Sequence, residues 1–140
     1  MKFSEISAEE WGSLQPYLDT CLLPVTGLGG IEHPYEATEQ LENLRDIMEL
    51  IEIPFKGRVV TYPAMHFFNG DEASQTMLEQ ICDSLKKTGF KYILIVTAKA
   101  DLEIAAHNVN IVLRPEPDGS LPSSSQVAIM MRELWNGQVT

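Results

Sequence analysis

Five consecutive residues, Tyr92-Ile93-Leu94-Ile95-Val96, constrain this chain more than any other stretch of it. Apolar residues without alternation cannot form a strand half in water, so both of its faces must be covered. Such a strand belongs in the middle of a parallel sheet with helices on either side. Two further stretches agree: Thr20 to Val25, running into Thr26-Gly27, and Gly57 to Tyr62, closed by Pro63. Val109 to Leu113 reads as a fourth strand, weakened by Asn110 and therefore expected at an edge.

Helical patterns lie between these segments. Ser7-Ala8-Glu9-Glu10 is a capping box, and it opens a helix that carries Trp11, Leu14 and Leu18 and is broken at Pro16. A second helix is expected from about Glu36 to Ile53, with Leu41, Leu44, Met48 and Ile51 buried and Pro54 as its stop. The turn Asn69-Gly70-Asp71-Glu72 starts a third, burying Met77, Leu78, Ile81 and Leu85 and ending at Gly89. Asp101 to Ala106 suits one or two helical turns, and the serines at 123–125 cap a last helix that buries Val127, Met130, Met131 and Leu134. Strand and helix thus alternate, with neither an internal repeat nor a linker. The expectation is a single α/β domain over residues 1–140, in three layers, with a mostly parallel four-stranded sheet and helices on both faces.

Charge narrows the partners. Twenty acidic residues face ten basic ones, for a formal net charge of -10 and a pI near 4.6. That balance excludes a nucleic-acid backbone, which requires lysine and arginine to replace its counterions, and a polybasic membrane anchor. Cys21 and Cys82 are too few for a disulfide framework and sit in apolar surroundings, as buried thiols do. The first residues lack the apolar core of a signal peptide, and no run approaches the roughly 20 apolar residues of a membrane span. The expected setting is the cytoplasm.

In open α/β sheets, ligands bind beyond the carboxyl ends of the strands. Those ends deliver Thr26 and Gly27, His66, Thr97 and Lys99, and Arg114. After the first strand comes a long loop, Gly27-Leu28-Gly29-Gly30-Ile31-Glu32-His33-Pro34, whose glycines would let a backbone approach a ligand. It is not the dinucleotide fingerprint, because Glu32 stands at the third glycine position, and no phosphate-binding Walker motif occurs. His33, Glu36 and His66 match no compact metal motif, and no nucleophile elbow accompanies the serines. Neither a metal nor a cofactor is expected. An enzyme here would use His66 or His33 as acid and base, with Arg58, Lys99 or Arg114 pairing an anionic substrate.

Charge is also unevenly placed. Between residues 32 and 52 there are seven acids and only one cation, Arg45. Glu39, Glu42, Asp46 and Glu49 each precede an apolar-stripe residue by two, about 200° around the helix, so they form a ridge opposite its buried face. Such a ridge keeps a protein soluble, and it could also dock a basic partner or the Lys86-Lys87-Lys91 side of a second copy.

The segments Asp19-Thr20, Leu23-Pro24-Val25, Phe55-Lys56-Gly57-Arg58-Val59 and Pro63-Ala64 resemble the YpiF-like family of small bacterial proteins, a domain of unknown function. The resemblance covers nearly the whole chain and implies fold, length and a bacterial cytoplasm. It implies no activity. His66-Phe67-Phe68 departs from its pattern, and the glycine loop has no counterpart in it. The leading functional reading is therefore a non-catalytic binding or adaptor module acting through the acidic ridge. The alternative is a small-molecule or nucleotide-related enzyme with a cleft at the strand ends.

Overall fold

The computed structural model describes residues 1–137. A short 3-10 turn at Phe3–Glu5 precedes α1 (Ala8–Leu14), β1 (Thr20–Leu28), α2 (Pro34–Glu52), β2 (Val59–Thr61), β3 (Met65–Phe67), α3 (Glu72–Lys87), β4 (Tyr92–Val96), β5 (Ile111–Leu113) and α4 (Ser124–Trp135). All strand pairings are parallel, in the order β2-β1-β4-β5, with β3 also on β1. The three-layer α/β architecture is as expected, and the apolar run of β4 lies inside the sheet beside the fully buried β1. One face of the sheet packs Cys21, Leu23, Val25, Ile93 and Ile95 against Leu78, Cys82 and Leu85 of α3. The other packs Leu22, Leu94 and Val96 against Leu44, Ile47 and Ile51 of α2 and Val127, Met131 and Leu134 of α4.

A fifth strand, β3, was not expected. It continues β2 along the same side of β1 after an interruption at Pro63-Ala64. Alternate residues of a parallel strand address alternate neighbours. Leu22 accepts the Tyr62 N–H, so Pro24, in phase with Leu22, turns its donorless nitrogen toward that interruption. A proline inside a central strand normally leaves a ladder bond unmade. Here it faces the one place where the neighbouring chain also breaks.

β5 begins only after Asn110, so it is shorter than the expected Val109–Leu113, yet Asn110 still joins it to β4. The Asn110 side-chain Oδ1 accepts the Ile93 N–H at 2.9 Å while its own N–H donates to the Ile93 carbonyl at 2.9 Å, which lengthens the β4–β5 ladder by one residue. The edge position of β5 is as expected.

Three local expectations are corrected. Residues 101–106 form no helix: Asp101 lies in a turn and residues 102–106 follow no regular secondary structure. Gln75 of α3 donates to the Glu103 carbonyl and accepts the Ala105 N–H, at 2.8 and 2.9 Å, so a side chain replaces the helical bonds. Alternate residues Leu102, Ile104 and Ala106 join the core on that side. In α2 the buried face is Leu44, Ile47 and Ile51, while Leu41 is exposed and Met48 half-buried. Glu52, which shares the side of Met48 and Leu41, bonds Thr61 of β2 at 2.8 Å, so that side overhangs the short, broken edge of the sheet. In α3 the buried face is Leu78, Cys82 and Leu85, and Met77, expected to be buried, is exposed.

Asp19, Thr20, Phe55 and Arg58 form a cluster with Trp135 at the amino ends of the strands. Arg58 grips Asp19 through two bonds, at 2.9 and 3.1 Å, and stacks over the Trp135 ring at 4.3 Å. Trp135 donates to Thr20 Oγ1 at 2.9 Å and meets Phe55 edge-on. This cluster ties α4 to the sheet, and it places Arg58 at the opposite end from the strand carboxyl termini.

Candidate functional site

In an open α/β sheet the strand order reverses at one point, and a crevice opens there at the strand carboxyl ends. Here that point lies between β1 and β4: the chain leaves β1 for β2 on one side, then crosses back over β1 to β4 on the other. An open cleft of about 470 Å³ occupies this position. Its walls are Gly27 near the end of β1, Gly29, Ile31 and Glu32 from the glycine loop, Phe68, Asn69 and Gly70 after β3, and Lys99, Asp101, Leu102 and Glu103 after β4.

Gly27 and Lys99 join the two sides. Gly27 has φ +85, and a Cβ there would lie 3.1 Å from Lys99 Cδ and 3.3 Å from Leu102 Cδ2. Only glycine therefore allows the lysine stem to cross the end of β1 and donate from Nζ to the Gly27 carbonyl at 2.7 Å. Thr97, fully buried, orients the turn beneath by accepting the Lys99 N–H at 3.3 Å. Arg114 braces the same turn from below, donating to the Ala100 and Leu102 carbonyls.

Beyond Gly27 the loop folds around its own carboxylate. Glu32 Oε1 receives the Gly29 and Gly30 N–H groups at 3.2 and 3.0 Å, and Oε2 receives Gly29 at 2.9 Å. These bonds, Gly29 foremost, hold the Glu32 carboxyl below its ordinary range, with Lys99 adding to the effect from nearby.

Of the expected cleft residues, Gly27, Gly29 and Lys99 meet in its wall, and Gly30 donates to the carboxylate that lines it. Thr26, Thr97 and Arg114 do not line it. Thr26 is buried and shares a 2.9 Å hydrogen bond with His66 Nδ1. His33 precedes α2, its N–H bonded to Glu36 and its ring stacked on Tyr35. The acid–base reading needed His33, His66, Thr26 and a cation in one pocket, and only Thr26 and His66 meet. Among the described residues no group of three or more His, Cys, Asp or Glu is placed to hold a metal ion. Both cysteines are buried, and burial pushes the Cys82 thiol up to about 11 and the Cys21 thiol higher, which suits neither for nucleophilic work.

Glu32, Asn69, Gly70, Asp101 and Glu103 were not among the expected cleft residues. Asn69-Gly70 follows the unexpected β3, and residues 101 and 103 lie in the segment expected to be helical. A larger hollow of about 560 Å³, lined by Met1, Lys2, Glu5, Glu49, Glu52 and Lys56, lies at the other end of the sheet, where the fold offers no switch point. Glu39, Glu42, Asp46 and Glu49 are all exposed along α2, and among the described residues only Asp46 has an ion-pair partner, Arg45 at 3.2 Å. Among the described residues, no helix is long and apolar enough to cross a membrane.

Fold and cleft together define a small, open, parallel α/β domain with its crevice at the strand carboxyl ends. The chain belongs to a family described as proteins of unknown function (DUF2487), whose model matches residues 9–133. Comparison with curated proteins and with solved structures gives no match.

Proposed function

We propose that this protein is a small-ligand-binding domain whose site is the β1–β4 cleft. The observation that carries the reading is the coincidence of the cleft with the switch point of the sheet, walled by loops from three strand ends. Its polar groups indicate the ligand. Lys99 and the glycine N–H groups suit one acidic group, while Asp101 and Glu103 suit hydroxyl donors. A phosphorylated polyol, such as a sugar phosphate or a nucleoside monophosphate, presents both.

A thermal-shift panel of such compounds tests this on the wild type and on Asp101→Ala. The expected result is a rise in Tm with at least one compound and a smaller rise in the variant. A panel without any shift, or shifts that Asp101→Ala leaves untouched, would overturn the reading.

Exposure of all four ridge acids favours a second reading, a docking face for a basic partner. Changing Glu39, Glu42, Asp46 and Glu49 to lysine would then remove captured partners that the wild type retains, and identical partner lists would sink it. The narrower YpiF-like resemblance supports a bacterial, cytoplasmic setting for either role.

A further inference from the structure

Gly29 has no structural need to be glycine. Its φ is not positive, and the nearest atom to a Cβ placed there would be Glu32 Oε2 at 4.0 Å. Gly30, at φ +91, has open space around it. What the absent side chains leave accessible is a pair of N–H groups converging on one point, a geometry that binds oxyanions. That point is held by the chain's own Glu32 carboxylate, whose two oxygens take all three bonds. Lys99 lines the same cleft, its Nζ bonded to a single backbone carbonyl, although an ammonium carries three donors. Ile31, between Gly30 and Glu32, is 89 % exposed at the mouth of the cleft, an apolar lip that nothing covers.

We infer that Gly29 and Gly30, with Lys99, form an oxyanion subsite, and that Glu32 occupies it as an internal stand-in until a ligand phosphate displaces it. This rests on the cleft being the ligand site, and it assigns the part of the cleft that receives the acidic group. The displaced carboxylate swings to solvent with its loop, and Ile31 moves with it. Glu32 is thus a competitor built into the site, lowering apparent affinity by the fraction of molecules in which it holds the cradle. Departure from the dinucleotide fingerprint acquires a meaning here: the glutamate at the third glycine position turns back onto the glycines before it.

The test is a titration with inorganic phosphate, followed by heat of binding and by the amide resonances of Gly29 and Gly30. Glu32→Ala is expected to bind phosphate about tenfold more tightly than the wild type, with the two glycine amides shifting on binding. Asp101→Asn removes one negative charge from the same cleft and serves as the electrostatic control. Displacement requires a clearly larger gain from Glu32→Ala than from Asp101→Asn, whereas equal gains would reduce the effect to charge and overturn the inference. Adding Lys99→Ala to Glu32→Ala should reverse much of the gain. Should Glu32→Ala fail to fold, Glu32→Gln keeps the side-chain length without the charge and is expected to tighten binding by a lesser factor. A parallel titration of the wild type with ribose 5-phosphate separates the two claims. Shifts at residues 101–103 without any effect at Gly29 and Gly30 would leave the cleft standing and remove the subsite. Silence in both titrations would remove both.

Discussion

At the scale of single residues, the cleft depends most on Gly27. An L-residue there would carry both an unfavourable φ and a Cβ pressed on the Lys99 stem. Gly27→Ala should cost about 1–3 kcal/mol in urea denaturation, because positive φ in a non-glycine residue is strained and the lysine must move. An unchanged midpoint would show that Lys99 does not need this crossing. The cysteines give a pH-dependent expectation. In the unfolded chain a thiol ionises near its ordinary value of 9.0, whereas Cys82 in the folded chain does so at about 11. Between these values the folded state holds more protons than the unfolded one, so stability is intact below pH 9 and falls as pH rises toward 11. Replacing Cys82 by alanine should make that part of a pH–stability curve less steep, the remaining slope belonging to Cys21, whose thiol is pushed higher still by burial. A wild-type curve already flat from 9 to 11 would contradict the burial.

At the scale of elements, α2 shows what periodicity decides and what it leaves open. Apolar residues at 41, 44, 47, 48, 50 and 51 allow two helical phases, and the expected stripe joined members of both. The sheet chooses between them. Its edge beside α2 is made of two three-residue strands divided at Pro63, so little remains to cover Leu41, and Ile47 turns inward instead. Ile47→Ala should therefore cost about 2–5 kcal/mol by chemical denaturation and Leu41→Ala less than about 0.5 kcal/mol. The reverse order would restore the expected phase. Residues 101–106 went astray for a different reason. The alternation Leu102, Ile104, Ala106 is a non-helical pattern visible in the sequence, but the anchor that holds the segment is Gln75, a polar side chain on another element. Such a contact leaves no periodic trace.

At the scale of the molecule, the parallel sheet and its three layers were legible because they follow from apolar runs and helix signals along the chain. The strand-end rule also points to Gly27, Gly29 and Lys99 from the sequence alone. It could not tell which carboxyl-end residues would turn inward. Thr97 and Arg114 became supports of the Lys99 turn, and Glu32 folded into a cradle made by its own loop. The acidity divides in the same way. The α2 ridge carries the densest charge and faces water, while Glu32, Asp101 and Glu103 line the cleft beside Lys99.

The central claim is that the β1–β4 cleft, not the ridge, is where this protein meets its ligand. The most direct measurement is a crystal structure of the protein soaked in ribose 5-phosphate. Density for the sugar phosphate is expected between Gly29, Lys99 and Asp101, with the phosphate at the Gly29 and Gly30 N–H groups and the Glu32 carboxylate turned away. Ligand density elsewhere on the molecule, with the cleft empty and Glu32 still bonded to its loop, would contradict it.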